Sequence, residues 1–158
     1  MAVLEIKTAG NPVLKKIAEP VKKIDKRIKK LLDDMAETMY ATEGIGIAAP
    51  QVGVSLRIIV VDVGKKRYDM INPEIIFRDG SSVDFEGCLS CPDLFGDVER
   101  AEVIHVQFTT RYHKEKVLEA KGLLARCIQH EVDHLNGRLF IDIAQNITKG
   151  KPPERKSE

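Results

Sequence analysis

Apolar residues recur at helical spacing in one early stretch of the chain. Ile28, Leu31, Leu32, Met35 and Met39 share one face of a helix predicted from Asp25 to about Thr42. Asp25 is its N-cap, and Gly44 marks its stop. Ahead of it, NPVLKKIA (11–18) predicts a short helix or turn opened by Asn11 and Pro12. Behind it, GIGIAAPQVGV (44–54) is rich in small residues, and Pro50 breaks any helix there. The texture then becomes strand-like. LRIIVVDV (56–63) is β-branched and apolar, and RYDMINPEIIF (67–77) reads as one or two strands punctuated by Asn72-Pro73. SSVDFEG (81–87) leads into Cys88, and residues 101–120 alternate as a hairpin turning near His113-Lys114. Gly122 precedes a last strong helix over 123–135. One helix, a run of mostly antiparallel strands and a late helix make an α+β fold. Without internal repeats, residues 1–146 are expected to form a single domain. Residues 147–158 are expected to be a disordered polar tail with adjacent prolines.

Composition and charge narrow the function. The 158 residues suit one domain. Twenty-five Lys and Arg against 24 Asp and Glu leave a formal charge of +1, so neither nucleic acid nor membrane is indicated as the main partner. No apolar run approaches the ~20 residues of a membrane span. The N-terminus, MAVLEIKTAGNPVLKK, lacks a basic start followed by an apolar run, so no signal peptide is read. Three cysteines are too few and odd in number for a secreted disulfide framework, which points to a reducing cytoplasm.

The chemistry gathers in CIQHEVDHLNG (127–137). His130 and His134 lie four apart, on one face of the last helix, with Glu131 beside the first. HExxH on a helix is a zinc-hydrolase signature. A surface helix carrying two histidines by chance is the bland alternative. Against it, Leu123, Leu124, Ile128 and Leu135 wrap round the helix, and a helix apolar on most sides is buried. A hydrolytic metal wants a third protein ligand and an open position. The metzincin pattern would place a histidine where Phe140 stands. A glutamate on a following helix is no better, since only Glu154 and Glu158 follow His134, both in the polar tail. Cys88 and Cys91 remain, in a C-x-x-C spacing. A redox pair lacks its βαβ surroundings, and a structural finger would leave Glu131 without a use. A single thiolate ligand, with the fourth position open to water, is the third reading. EGCLS favours Cys88 for it, at a strand end after Gly87. Cys127 either lines the pocket or is a small buried hydrophobe.

GIGIAAPQ (44–51), EGCLS (86–90) and QHEVDHLNG (129–137) resemble, in order, the three signature motifs of peptide deformylases. NPVLKKIAEPV (11–21) is similar to that family's N-terminal segment, and the resemblance runs from residue 3 to about 143. It implies a peptide-deformylase-like fold, with the sheets packed around a central HExxH helix. It implies removal of the N-formyl group from the initiator methionine of nascent bacterial or organellar chains, releasing formate. Cys88, His130 and His134 would be the metal ligands and Glu131 the acid/base. Gln51 and the Leu89 N–H would form the oxyanion hole; Ile45, Gly46 and Gly87 would contact the peptide. The implied metal is one divalent ion, typically Fe(II), with Zn, Ni or Co as substitutes. N-formylmethionyl nascent peptides would be the partners of a monomeric, cytoplasmic bacterial enzyme, with no specific nucleic acid and no membrane. Transient ribosome contact occurs in some bacterial members through a long basic C-terminal helix. Here only Lys149, Lys151, Arg155 and Lys156 stand in a proline-broken tail, so that route is not expected. The residue after EGCLS is usually a larger apolar one, whereas here it is Cys91.

Those residues suit formamide hydrolysis. One thiolate lowers the charge on the metal, which Glu131 offsets by accepting the water's proton. Gly44 and Gly46 let backbone pass close to a ligand, and an extended peptide could add a strand along residues 45–47. Leu123, Cys127 and Ile45 are candidate walls of a methionine pocket, and Glu86 with Arg100 a candidate pair holding the Cys88 loop. The C-x-x-C spacing suggests that Cys91 could form a disulfide with Cys88 after metal loss.

Overall fold

A computed structural model describes residues 2–150. The first helix, α1 (Lys26–Ala41), starts where its pattern demands: the Asp25 side chain accepts from the Ile28 N–H at 3.1 Å. It buries Ile28, Leu32, Met35 and Met39, and partly buries Leu31. The side-chain carbonyl oxygen of Asn11 caps the 3₁₀ turn Pro12–Lys15 in the same manner.

Five strands form one antiparallel sheet in the order β1 (Gly46–Ala48), β2 (Ile58–Val61), β3 (Tyr68–Asp79), β6 (Val103–Thr109), β7 (Glu115–Lys121). β2, fully buried, pairs Ile58 with Ile71 and Val61 with Tyr68. Asn72-Pro73 does not split β3. Asn72 adopts a positive φ of 53°, the register shifts there, and its amide both accepts from and donates to the Val21 backbone. The residues that read as a break are a bulge tied to the N-terminal segment. The 101–120 hairpin forms as expected.

The second sheet has the order β4 (Ser82–Cys88), β5 (Cys91–Arg100), β8 (Gln145–Lys149). β5 was not foreseen, because Pro92, Asp93 and Gly96 interrupt any alternation. The expected start of the tail at residue 147 needs correction, since β8 runs to Lys149 and pairs Leu94 with Lys149. Every β8 residue is exposed, so backbone pairing holds the strand and no apolar pattern announces it. The rest of the expected tail, 151–158, lies outside the described residues.

The last helix, α2 (Gly122–Leu135), packs against β1 and β2 and carries the HExxH residues into the core. Ile128 and Leu135 are fully buried. Leu123 is not part of that apolar wrap: it is 42 % exposed, at the rim of the cavity described below. Among the described residues no helix is long and apolar enough to cross a membrane.

Candidate metal centre

One turn of α2 separates His130 from His134, so both imidazoles face the end of β4. There Cys88 Sγ lies 3.3 Å from His134 Nε2. Ligand atoms of Cys88, His130 and His134 all fall within 4.8 Å of one another, the one such trio among the described residues. Two ligands on one tetrahedral ion with bonds of about 2.0–2.3 Å stand roughly 3.5 Å apart, so the trio suits a single ion. The surroundings agree. Burial pushes the His134 imidazole well below its usual range, which keeps it in the neutral, ligating form. The Cys91 thiol and burial push the Cys88 thiol well up, and a bound cation is what stabilises such a thiolate. Phe140, at the position of a metzincin's third histidine, stacks on His130 with ring centroids 6.1 Å apart.

His130 is oriented by a residue the sequence reading linked only to Arg100. Glu86 Oε1 accepts from His130 Nδ1 at 2.8 Å, which leaves Nε2 for a metal. The same carboxylate accepts two bonds from Arg100, each 3.0 Å, and one from Arg126 at 2.7 Å. Burial would raise Glu86, but His130 and Arg100 outweigh it and hold its carboxyl at about 2. Glu86 and Arg100 are 7 % and 6 % exposed, so this is no surface pair. Its sequence signal is the spacing. Glu86 shares a strand face with Cys88 at i, i+2, and Arg126 shares a helix face with His130 at i, i+4.

Glu131 is 4 % exposed, and its Oε1 has no protein partner. Burial raises its carboxyl to about 7, with His130 working against it. A base poised near neutrality is suited to moving a proton. Gln51 faces it across the site. Its Oε1 accepts from the Ala48 N–H at 2.9 Å, which turns Nε2 toward Ser90 Oγ (3.2 Å) and Cys88 Sγ (3.5 Å).

A cavity of about 480 Å³ opens onto Cys88, His130 and Glu131. Its wall also brings together Gln51, Leu89, Ile45, Gly46 and Gly87, with the pocket candidates Leu123 and Cys127, while His134 lies buried behind it. Leu94 and Phe95 of β5 also line it and were not anticipated. At Gly46 β1 lies close against α2. A Cβ there would stand 2.6 Å from both Cys127 Sγ and Glu131 Oε2. Gly46→Ala is therefore expected to displace Glu131 and lower kcat at least about tenfold, since small misplacements of reacting groups are costly. A steady-state rate equal to wild type would refute that reading.

A thiol and two imidazoles converging beside a buried carboxylate, over an open cavity, define a metal-dependent hydrolase centre. The comparisons with known proteins carry this further. The polypeptide deformylase family model matches residues 3–150. The peptide deformylase of Carboxydothermus hydrogenoformans is 54% identical over 149 residues, covering 94% of this chain and 98% of that one. The crystal structure of peptide deformylase from Thermotoga maritima superposes with a TM-score of 0.90 at 44% identity, over 92% of this chain and 99% of the other. That from Ehrlichia chaffeensis in complex with actinonin gives 0.90 at 41%, over 92% and 91%. The chain belongs to the polypeptide deformylase family.

Proposed function

We propose that the protein removes the N-formyl group from the formylmethionine of newly made polypeptides, releasing formate. The observation that carries this is the convergence of Cys88, His130 and His134 beside a cavity that Cys88, His130 and Glu131 line. When bound, the metal ion supplies Lewis acidity that activates a water and polarises the formyl carbonyl. Glu131 takes the proton of the attacking water and delivers it to the departing amine nitrogen. Gln51 Nε2 and the Leu89 N–H donate to the oxygen as negative charge develops on it. Loss of one such donor costs about 10²–10³ in kcat.

The peptide binds along β1. That strand is the sheet's edge, and the Asp62 N–H bonds to the Ile45 carbonyl, so residues 45 and 47 face β2. Alternation turns the N–H and C=O of Gly46 to the free edge, open to an extended substrate. Pairing through main chain tolerates many sequences beyond the first residue. Ile45, Leu123 and Cys127 form apolar wall for the methionine side chain, and Gly87 contacts the peptide.

One thiolate and two imidazoles suit Fe(II) or Zn(II), and Fe(II) is the proposed resident ion, with Zn, Ni or Co able to replace it. The proposed setting is a single domain, monomeric, in the bacterial cytoplasm, where contact with the ribosome is at most transient.

The test is anaerobic turnover of a formyl-Met dipeptide amide by Fe(II)-loaded protein, with Cys88→Ala alongside. Wild type is expected to release formate, and Cys88→Ala to lose both metal and turnover. A wild type that holds one equivalent of metal and releases no formate would overturn the proposal.

A further inference from the structure

Cys88 and Cys91 face each other across the first pair of the β4–β5 hairpin, with Leu89 and Ser90 as the turn. Paired residues of antiparallel strands have Cα atoms about 4.5–5.5 Å apart. Disulfides need roughly 4.4–6.8 Å. Beyond this pair the register shifts, because Gly87 pairs with Phe95 and residues 92–94 are extra on the β5 side. Asp93 in that excursion has a positive φ of 61°. The hairpin end is thus a bulged loop with local freedom to adjust as the sulfurs approach. Both cysteines line the cavity that opens to solvent. Cys88 is half-buried, whereas Cys91 is 1 % exposed behind it. The third cysteine is placed differently: Cys127, on α2, donates to the Ile45 carbonyl at 3.3 Å.

We propose that Cys88 and Cys91 are a peroxide-reactive pair whose disulfide withdraws Cys88 from the metal donor set. This rests on Cys88 being a ligand. Hydrogen peroxide entering the cavity meets Cys88 first. The sulfur attacks one peroxide oxygen, the O–O bond breaks, and a sulfenic acid and one water result. Cys91 sulfur then attacks the sulfenic sulfur. The S–S bond forms, the S–O bond breaks, and the hydroxyl leaves with the Cys91 proton as a second water. Two thiols lose two electrons, and one peroxide becomes two waters. A dithiol reductant reverses the step by exchange. Without a resolving thiol, a sulfenic acid proceeds to sulfinic acid, which is irreversible for most proteins. Cys91 would therefore turn a destructive oxidation of the ligand into a recoverable one, the usual character of cytosolic disulfides.

The experiment uses Zn(II)-loaded full-length enzyme, since zinc is not itself oxidised. Protein is treated with hydrogen peroxide, denatured, and alkylated with and without prior dithiothreitol; zinc release is followed with a chromophoric chelator. Of the three cysteines, wild type should alkylate only Cys127 and regain all three after reduction. Zinc should leave in step with thiol loss, and peptide mapping should join 88 to 91. Cys91→Ser and the better-packing Cys91→Val should instead give a Cys88 oxidation product that dithiothreitol does not recover. Dithiothreitol-resistant oxidation in wild type, or a disulfide that uses Cys127, would refute the pairing and leave Cys88 as ligand. A disulfide joining 88 and 91 with zinc retained would refute the switch through the ligand assignment itself.

Discussion

Glu131→Gln is expected to keep the fold and the metal but lower kcat on the order of 10³–10⁴-fold, the upper range for a residue that both takes and returns a proton. The reason lies in where the carboxylate sits. It is buried, its Oε1 has no protein partner, and burial holds its carboxyl at about 7. Such a group contributes little to stability, since near neutrality part of its charge stands desolvated. An amide of the same shape removes that charge, so the melting temperature should be unchanged or higher. Gly46 backs the side chain closely, and Gln fits that space as Glu does. Three measurements on one preparation decide it: bound metal, thermal melt, and kcat on a formyl-Met peptide. A variant that binds metal, melts like wild type and turns over normally would remove Glu131 from the mechanism. Turnover of unformylated peptides in preference to formylated ones would point to a peptidase on the same signature.

What the chain disclosed follows from which forces are local. α1, β2, the 101–120 hairpin and α2 carry their apolar periodicity in contiguous residues, so each was legible. β5 and β8 were not. β5 is broken by Pro92, Asp93 and Gly96, and β8 buries nothing. Both depend on pairing with residues distant in sequence, a dependence that periodicity does not record. The candidate trio was readable because HExxH places two imidazoles on one helix face and the chain offers few side chains for a third position. The Glu86 hub was not, although its i, i+2 relation to Cys88 places both on one strand face. Glu86 meets Arg126 and His130 across 40 and 44 residues of chain, and only the fold shows that those donors converge.

That hub should be the costliest single position to truncate. Glu86 offers two oxygens to four donors: Arg100 Nε and Nη2, Arg126 Nη1 and His130 Nδ1. Removing one member of a buried ion pair costs about 3–5 kcal/mol, because the remaining charge stays desolvated. Arg126 would keep the Val98 and Ser82 carbonyls, and Arg100 would keep Asp133. The unmet donors are then Arg100 Nε and Nη2, together with His130 Nδ1. Glu86→Ala is therefore expected to lower the melting temperature by roughly 6–20 °C for a chain of this size. It should also weaken metal binding about 10–100-fold, since His130 loses the acceptor that fixes its ring. The two effects can be separated. Glu86→Leu combined with Arg100→Met replaces the pair with apolar side chains and should recover much of the stability, as buried pairs often permit. It cannot restore the acceptor for His130 Nδ1, so metal affinity should stay low. Urea midpoints and a competition titration with a chromophoric chelator report the two quantities independently. If the double variant regained metal affinity along with stability, Glu86 would matter to the site only as packing, and its role in orienting His130 would be wrong.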